Sequence, residues 1–208
     1  MDELLTIENR MIAAVTGSIM LAALLVSVWR VWRRRHARAK LQNTIRKLGL
    51  DCVQDALVPD GMGGWLHIDF MLLTPNGVLL VELHDIAGNV FGGDQMTQWT
   101  VIDGPRRSTF GNPQGAMYDR VAAVKSLTHE LQVQGRLVFG RRARFPKGLP
   151  RWTTSFDSLR AEFPMLDAAI RKDLLARSHD EWTTLSASLE TSTSLHQSRS
   201  FLQEVFFD

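Results

Sequence analysis

Residues 11–29 read MIAAVTGSIMLAALLVSVW and contain no charged side chain. As a helix rising 1.5 Å per residue, such a run covers about 28 Å, close to the ~30 Å hydrocarbon core of a bilayer. Ile12, Val15, Ile19, Leu21, Leu24, Leu25, Val26 and Val28 each favour insertion, by roughly 0.3–0.6 kcal/mol apiece at the helix centre. Trp29 and Trp32 stand where an interfacial aromatic belt is expected. The run predicts one transmembrane helix, and everything after it is read as a domain tethered to a membrane.

The flanking charges set the orientation. A cleaved signal peptide carries its positive charge ahead of the apolar run. Here Asp2, Glu3 and Glu8 precede it, whereas Arg30, Arg33, Arg34, Arg35, Arg38 and Lys40 follow. The positive-inside rule then places residues 1–10 outside and the remainder in the cytoplasm. The basic cluster suits anionic lipid, at ~1 kcal/mol per residue near the surface, and DNA is its alternative ligand. We divide the chain into the span at 11–29, a basic juxtamembrane segment at 30–36, a domain core at 37–140 and a helical extension at 141–208.

The net charge is +2 over 208 residues, with basic side chains concentrated in Arg30–Lys47 and Arg141–Arg151. Cys52 is the single cysteine, which excludes an internal disulfide and reads as a small buried hydrophobe. Leu41, Ile45 and Leu48 fall at helical spacing within 36–49, with Gly49 as the stop. A short strand is expected at 52–57, followed by a turn over Pro59–Gly64. Further strands are expected at 97–103 and 136–139. Asn112-Pro113 opens a long helix reaching about Gln134, with Met117, Val121, Val124, Leu127 and Leu131 on one face. Helices are also expected at 156–163, 165–177 and near 180–189. Residues 183–200 are rich in Ser and Thr and suit a flexible connection. Phe201, Leu202, Val205, Phe206 and Phe207 are expected to dock on the domain.

The apolar runs 65–73 and 78–84, separated by Thr74-Pro75-Asn76-Gly77, carry the clearest hairpin signal. Alternation puts Leu66, Ile68, Phe70 and Leu72 on one face of the first strand, and Leu79, Val81 and Leu83 on one face of the second. The opposite face gathers His67, Asp69, Glu82 and His84. A Pro75-Asn76 loop would set Asp69 opposite Glu82, and an Asn76-Gly77 loop would set Asp69 opposite His84. Two carboxylates on a mostly buried sheet repel each other and lose hydration. A divalent cation, a nearby imidazolium or a simple ion pair at the strand end would each offset that cost.

Several of these segments occur together in a known order: Ile68-Asp69, the run Gly77-Val78-Leu79-Leu80-Val81-Glu82, then Gly88-Asn89-Val90-Phe91-Gly92, Trp99 and Asn112-Pro113. Over about 100 residues this resembles the nuclease-related domain family, a largely bacterial group with a restriction-endonuclease-like fold. The resemblance implies an α/β domain with a central mixed sheet flanked by helices. It also implies Mg²⁺-dependent cleavage of DNA, with Mn²⁺ or Zn²⁺ as less favoured metals. Asp69 and Glu82 would hold the metal, and His84 stands where the family has lysine. Histidine is shorter and only conditionally charged. The first helix offers Arg38 and Gln42 rather than an acid, and Gln114 is offset from the family's glutamine position.

Three readings follow. The chain is a metal-dependent nuclease in the bacterial inner membrane in which His84 does the lysine's work. Alternatively, it is a nuclease-like domain without catalysis that binds nucleic acid or a protein partner at the membrane. In the third reading, His67, Asp69, Glu82 and His84 hold a transition metal. Arg141, Arg142, Arg144, Lys147 and Arg151 are the expected phosphate contacts of a nucleic-acid-binding surface, or else a solvated loop.

Overall fold

The structure is a computed structural model that describes residues 20, 24–30, 32, 36, 39, 41–128, 130–163 and 167–191. The chain divides into two compact units, Met1–Ile45 and Arg46–Asp208. In the first, residues 20, 24–30, 32, 36, 39 and 41–45 are helical. Met20, Leu24, Leu25, Val26, Val28, Trp29 and Trp32 expose 45–74% of their surface. Residues 11–19 and 21–23 of the expected span lie outside the described residues. Among the described residues, no helix is long and apolar enough to cross a membrane.

The second unit is a mixed α/β domain built on two sheets, where the sequence suggested one. Strands β1 (Asp51–Pro59), β2 (Trp65–Thr74) and β3 (Gly77–His84) form an antiparallel meander. Next come β4 (Gly88–Phe91), β5 (Gln98–Asp103) and β6 (Arg106–Gly111), then helix α1 (Pro113–Leu127). The chain returns as β7 (Val133–Phe139), β8 (Ala143–Arg144) and β9 (Thr153–Ser155), followed by α2 (Phe156–Glu162), α3 (Ala168–Ala187) and β10 (Glu190–Thr191). The first sheet has the order β10-β1-β2-β3-β7-β9, and the second β6-β5-β4-β8. Strands β7 and β9 join the first sheet in parallel, and the segment carrying β4, β5, β6 and α1 is the crossover that the parallel β3–β7 pairing requires.

The hairpin is set by its turn. Thr74 pairs with Gly77, leaving Pro75-Asn76 as the loop. Gly77 completes the turn at φ +111, and the Thr74 hydroxyl donates to its carbonyl at 2.8 Å. The turn-proximal half of the hairpin is buried on both faces: Leu72 and Leu79 on one, Met71, Leu73, Val78 and Leu80 on the other. Its aliphatic character continues across both faces there, and polar side chains enter only at the far end.

Helix α1 covers the second of those faces. Asn112 caps it, its side-chain oxygen accepting from Gln114 N at 3.0 Å, with Pro113 in the first turn. Met117 and Val124 are buried. A Cβ on Gly135 would lie 2.6 Å from Met117 Sδ and 2.9 Å from Val121 Cγ2, so glycine lets the helix settle onto β7.

The helix ends at Leu127 rather than near Gln134, and Gly135 lies inside β7. The stop is tertiary: Glu181 of α3 accepts from the Thr128 hydroxyl and, at 2.9 Å, from Glu130 N. Residues 168–187 form one helix where the sequence suggested two segments, and it runs through part of the Ser/Thr-rich stretch. Its Trp182 is buried and donates to Asp51 at 2.8 Å. The expected docking of Phe201–Phe207 lies outside the described residues.

Candidate functional site

Beyond Phe70–Val81 the pairing of β2 with β3 stops. Strand β2 stays on β1 as far as the Pro59–Trp65 pair, and β3 stays on β7 as far as the His84–Phe139 pair. The two strands of the hairpin therefore part, and Asp69 and Glu82 are the next residues in register at the point of parting. Since facing residues in register share a face, His67, Asp69, Glu82 and His84 lie on the face that α1 covers.

Side chains bridge the parting strands. Asp69 Oδ2 accepts from Leu83 N at 2.9 Å, taking the place of a backbone carbonyl. Arg120 of α1 donates through Nε to the His67 carbonyl on β2 and through Nη1, at 3.0 Å, to Glu82 Oε2 on β3. His84 Nε2 lies 3.3 Å from Glu82 Oε1, and the imidazole stacks on Phe139 at 4.8 Å between ring centroids. His67 lies between two acids, its Nδ1 3.5 Å from Asp69 and its Nε2 3.3 Å from Asp55.

The electrostatics follow from this arrangement. Burial pushes the Glu82 carboxyl up, but the His84 contact, the Arg120 guanidinium and the charges of His84 and His67 outweigh it, so its pKa falls below the ordinary value. Its side chain is 21% exposed and that of Asp69 28%, so solvent reaches both carboxylates. By contrast, burial pushes the Cys52 thiol up to about 11, which leaves it unreactive near neutral pH.

Two residues of this constellation were not singled out from the sequence. Arg120 falls three residues after Met117 and four before Val124, on the buried stripe of α1. A cation at that phase of an apolar face is the signal that could have found it. Asp55 stands opposite Asp69 in the β1–β2 register, where pairing skips one position, and has a left-handed φ of +49. Nothing in the local sequence announces that conformation.

Gln114, in contrast, is not part of the constellation. Its amide donates to Asp94 at 2.9 Å and to the Arg151 carbonyl at 2.7 Å. Of the expected phosphate contacts, Arg141 pairs with Asp157 at 2.8 Å and Arg142 with Asp85 at 2.9 Å, all four side chains being more than half exposed. Arg144 lies in β8 and Lys147 in the turn after it, both exposed.

Among the described residues, no group of three or more His, Cys, Asp or Glu side chains is arranged to hold a metal ion, so a four-residue transition-metal cage is not assembled. Mg²⁺ asks less of a protein: one or two carboxylates, with water and phosphate oxygens completing its shell. Two partly exposed carboxylates at the parting of β2 and β3 fit that requirement, provided Glu82 Oε2 exchanges its bond to Arg120. Arg120 presents hydrogen-bond donors beside the acids, and His84 Nε2 is enclosed there with no hydrogen-bond partner; the combination suits an anionic ligand that brings its own cation.

The profile of the nuclease-related domain (NERD) matches residues 31–140, just over half of the chain. No curated protein and no solved structure matches the chain at a significant level.

Proposed function

Because the chain belongs to the nuclease-related domain family, we propose that it is a membrane-anchored, Mg²⁺-dependent DNA nuclease working through Asp69, Glu82, His84 and Arg120. The observation that carries this reading is the parting of β2 and β3 just where two acids come into register, with one helix delivering a fixed cation to Glu82. When bound, Mg²⁺ would make water a competent nucleophile near neutral pH and neutralise charge on the phosphate. Asp69 and Glu82 would hold it. Arg120, released from Glu82 Oε2, would keep the phosphodiester in place, since a guanidinium is always charged and binds phosphate with paired donors. His84 would donate to the phosphate or the attacking water in the lysine's position.

The anchor is the run 11–29. Its support is the uncharged sequence with arginines behind it and the exposed side chains of Met20, Leu24, Leu25, Val26, Val28, Trp29 and Trp32. It would hold the domain on the cytoplasmic side of a bacterial inner membrane. Carbonate-resistant membrane association, together with protease sensitivity of the domain only from the cytoplasmic side, is the expected result. Recovery of the protein in the soluble fraction would overturn it.

The full chain in detergent, given duplex DNA with Mg²⁺ or Mn²⁺, should cleave, and Glu82→Gln should abolish cleavage. No cleavage across metals and substrates would reject the enzymatic reading. One observation favours a second reading, a binding module without catalysis. Both oxygens of Glu82 already face cations or imidazole of the protein itself, so the site is neutralised internally. That module would bind DNA with a strong salt dependence that survives Glu82→Ala. Arg144 and Lys147 would be its phosphate contacts, together with Arg141 and Arg142 once released from their surface acids.

A further inference from the structure

A second feature of α1 lies away from the acids. Tyr118 and Trp152 stack nearly parallel, with 6.2 Å between ring centroids and 6° between planes. Tyr118 is nevertheless 63% exposed. Parallel rings at that separation form an offset pair, and the phenol ring stays largely open to solvent.

The stack is built under strain. Trp152 has a left-handed φ of +63, and among the described non-glycine residues only Asp55 shares that conformation. Such a backbone persists where its neighbours over-determine it, and here they do. Arg151 N donates to Asp94 at 2.8 Å, the Arg151 carbonyl accepts from Gln114, and the Trp152 carbonyl accepts from Leu137 N at 2.8 Å. Peptide groups on both sides of Trp152 are thus pinned, with the indole plane parallel to the Tyr118 ring. Arg151, the residue before Trp152, is exposed, as is Lys147 in the same connection, and the Arg151 charge acts on Asp94.

We propose that Tyr118, backed by Trp152 and flanked by Arg151, is a stacking platform for an unpaired nucleobase, so that this domain engages single-stranded nucleic acid. An exposed aromatic face accepts any base, and an adjacent cation takes the phosphate. Both a π surface and positive charge are present, which favours nucleic acid over an apolar peptide. The proposal deepens the nuclease-like reading and rests on it for the choice of nucleic acid as ligand. Helix α1 carries both features: Arg120 reaches β2 and β3 on one side, and Tyr118 meets the segment entering β9 on the other.

The test is fluorescence anisotropy of labelled oligo(dT) with the full chain in detergent and EDTA, so that binding is read without cleavage. Tyr118→Ala should weaken binding about tenfold, the loss of one base–aromatic stack, while Tyr118→Phe stays within about twofold. Arg151→Gln should lower the slope of log affinity against log salt by about 0.7, the loss of one phosphate contact on a single strand. Circular dichroism checks the fold, and if Tyr118→Ala does not fold, the Arg151→Gln slope decides. Absence of oligo(dT) binding, or affinity and slope both unmoved by these variants, overturns the platform. Cleavage of duplex DNA without oligo(dT) binding would sink the platform and leave the nuclease standing; Tyr118-dependent binding with no cleavage would do the reverse.

Discussion

Arg120 Nη1 and Glu82 Oε2 lie 3.0 Å apart, joining α1 to β3 just past the last β2–β3 pair. The same guanidinium holds the His67 carbonyl on β2, so one side chain bridges two strands whose backbones have separated. Both members are about one-fifth exposed, shielded enough for the pair to matter more than a surface bridge.

Removing this bridge should be costly. Arg120→Ala leaves Glu82 without its guanidinium partner and the His67 carbonyl without a donor, and we expect a loss of roughly 1–3 kcal/mol in urea denaturation. Arg120→Lys should fall between the two, since an ammonium keeps the charge but not the two-pronged geometry. Equal stability of wild type and Arg120→Ala would show that the bridge does not hold the strands.

Glu82 should leave a signature in pH. Its folded-state pKa is below the ordinary value: burial opposes ionisation, but His84, Arg120 and His67 favour it more strongly. A depressed carboxyl contributes stability that is present above its unfolded pKa and lost as pH falls through its folded pKa. The stability gap between wild type and Glu82→Gln should therefore be largest near neutral pH and narrow on acidification below the usual carboxylate range. Denaturation midpoints at stepped pH measure it, and a gap independent of pH would contradict the assignment.

Asp69 serves the fold as well as the site, because it accepts from Leu83 N. Asp69→Ala should cost about 1–3 kcal/mol by leaving that N–H unpaired. Asp69→Asn retains an acceptor oxygen and should keep most of the stability. If the nuclease reading holds, it should still lose cleavage. A folded, active Asp69→Asn would remove Asp69 from the metal site.

Gly77 and Gly104 offer a matched comparison of turns. Both have positive φ, at +111 and +58, but a Cβ on Gly77 would lie 2.2 Å from the Gln132 carbonyl oxygen, whereas one on Gly104 would meet nothing within 4 Å. Gly104→Ala should cost about 1 kcal/mol, from conformation alone. Gly77→Ala adds a backbone collision and should cost clearly more, about 2–3 kcal/mol. Similar melting shifts for the two would mean that the β3–β7 neighbourhood can yield.

The sequence alone determined what depends on neighbours a few residues apart. The strands at 65–73 and 78–84, their shared polar face and the Asn112-Pro113 start of α1 were legible because alternation and capping are local. The uncharged run 11–29 was equally plain. Tertiary structure chose between the two hairpin registers, with Gly77 lodged against Gln132. It also ended α1 at Leu127 through Glu181 and placed Gly135 beneath Met117. It brought Arg120 to Glu82 and Asp55 to His67. These last pairings join distant segments, and no local rule ranks one distant partner over another. Which charges meet is decided only once burial has fixed how the sheet and its helix pack.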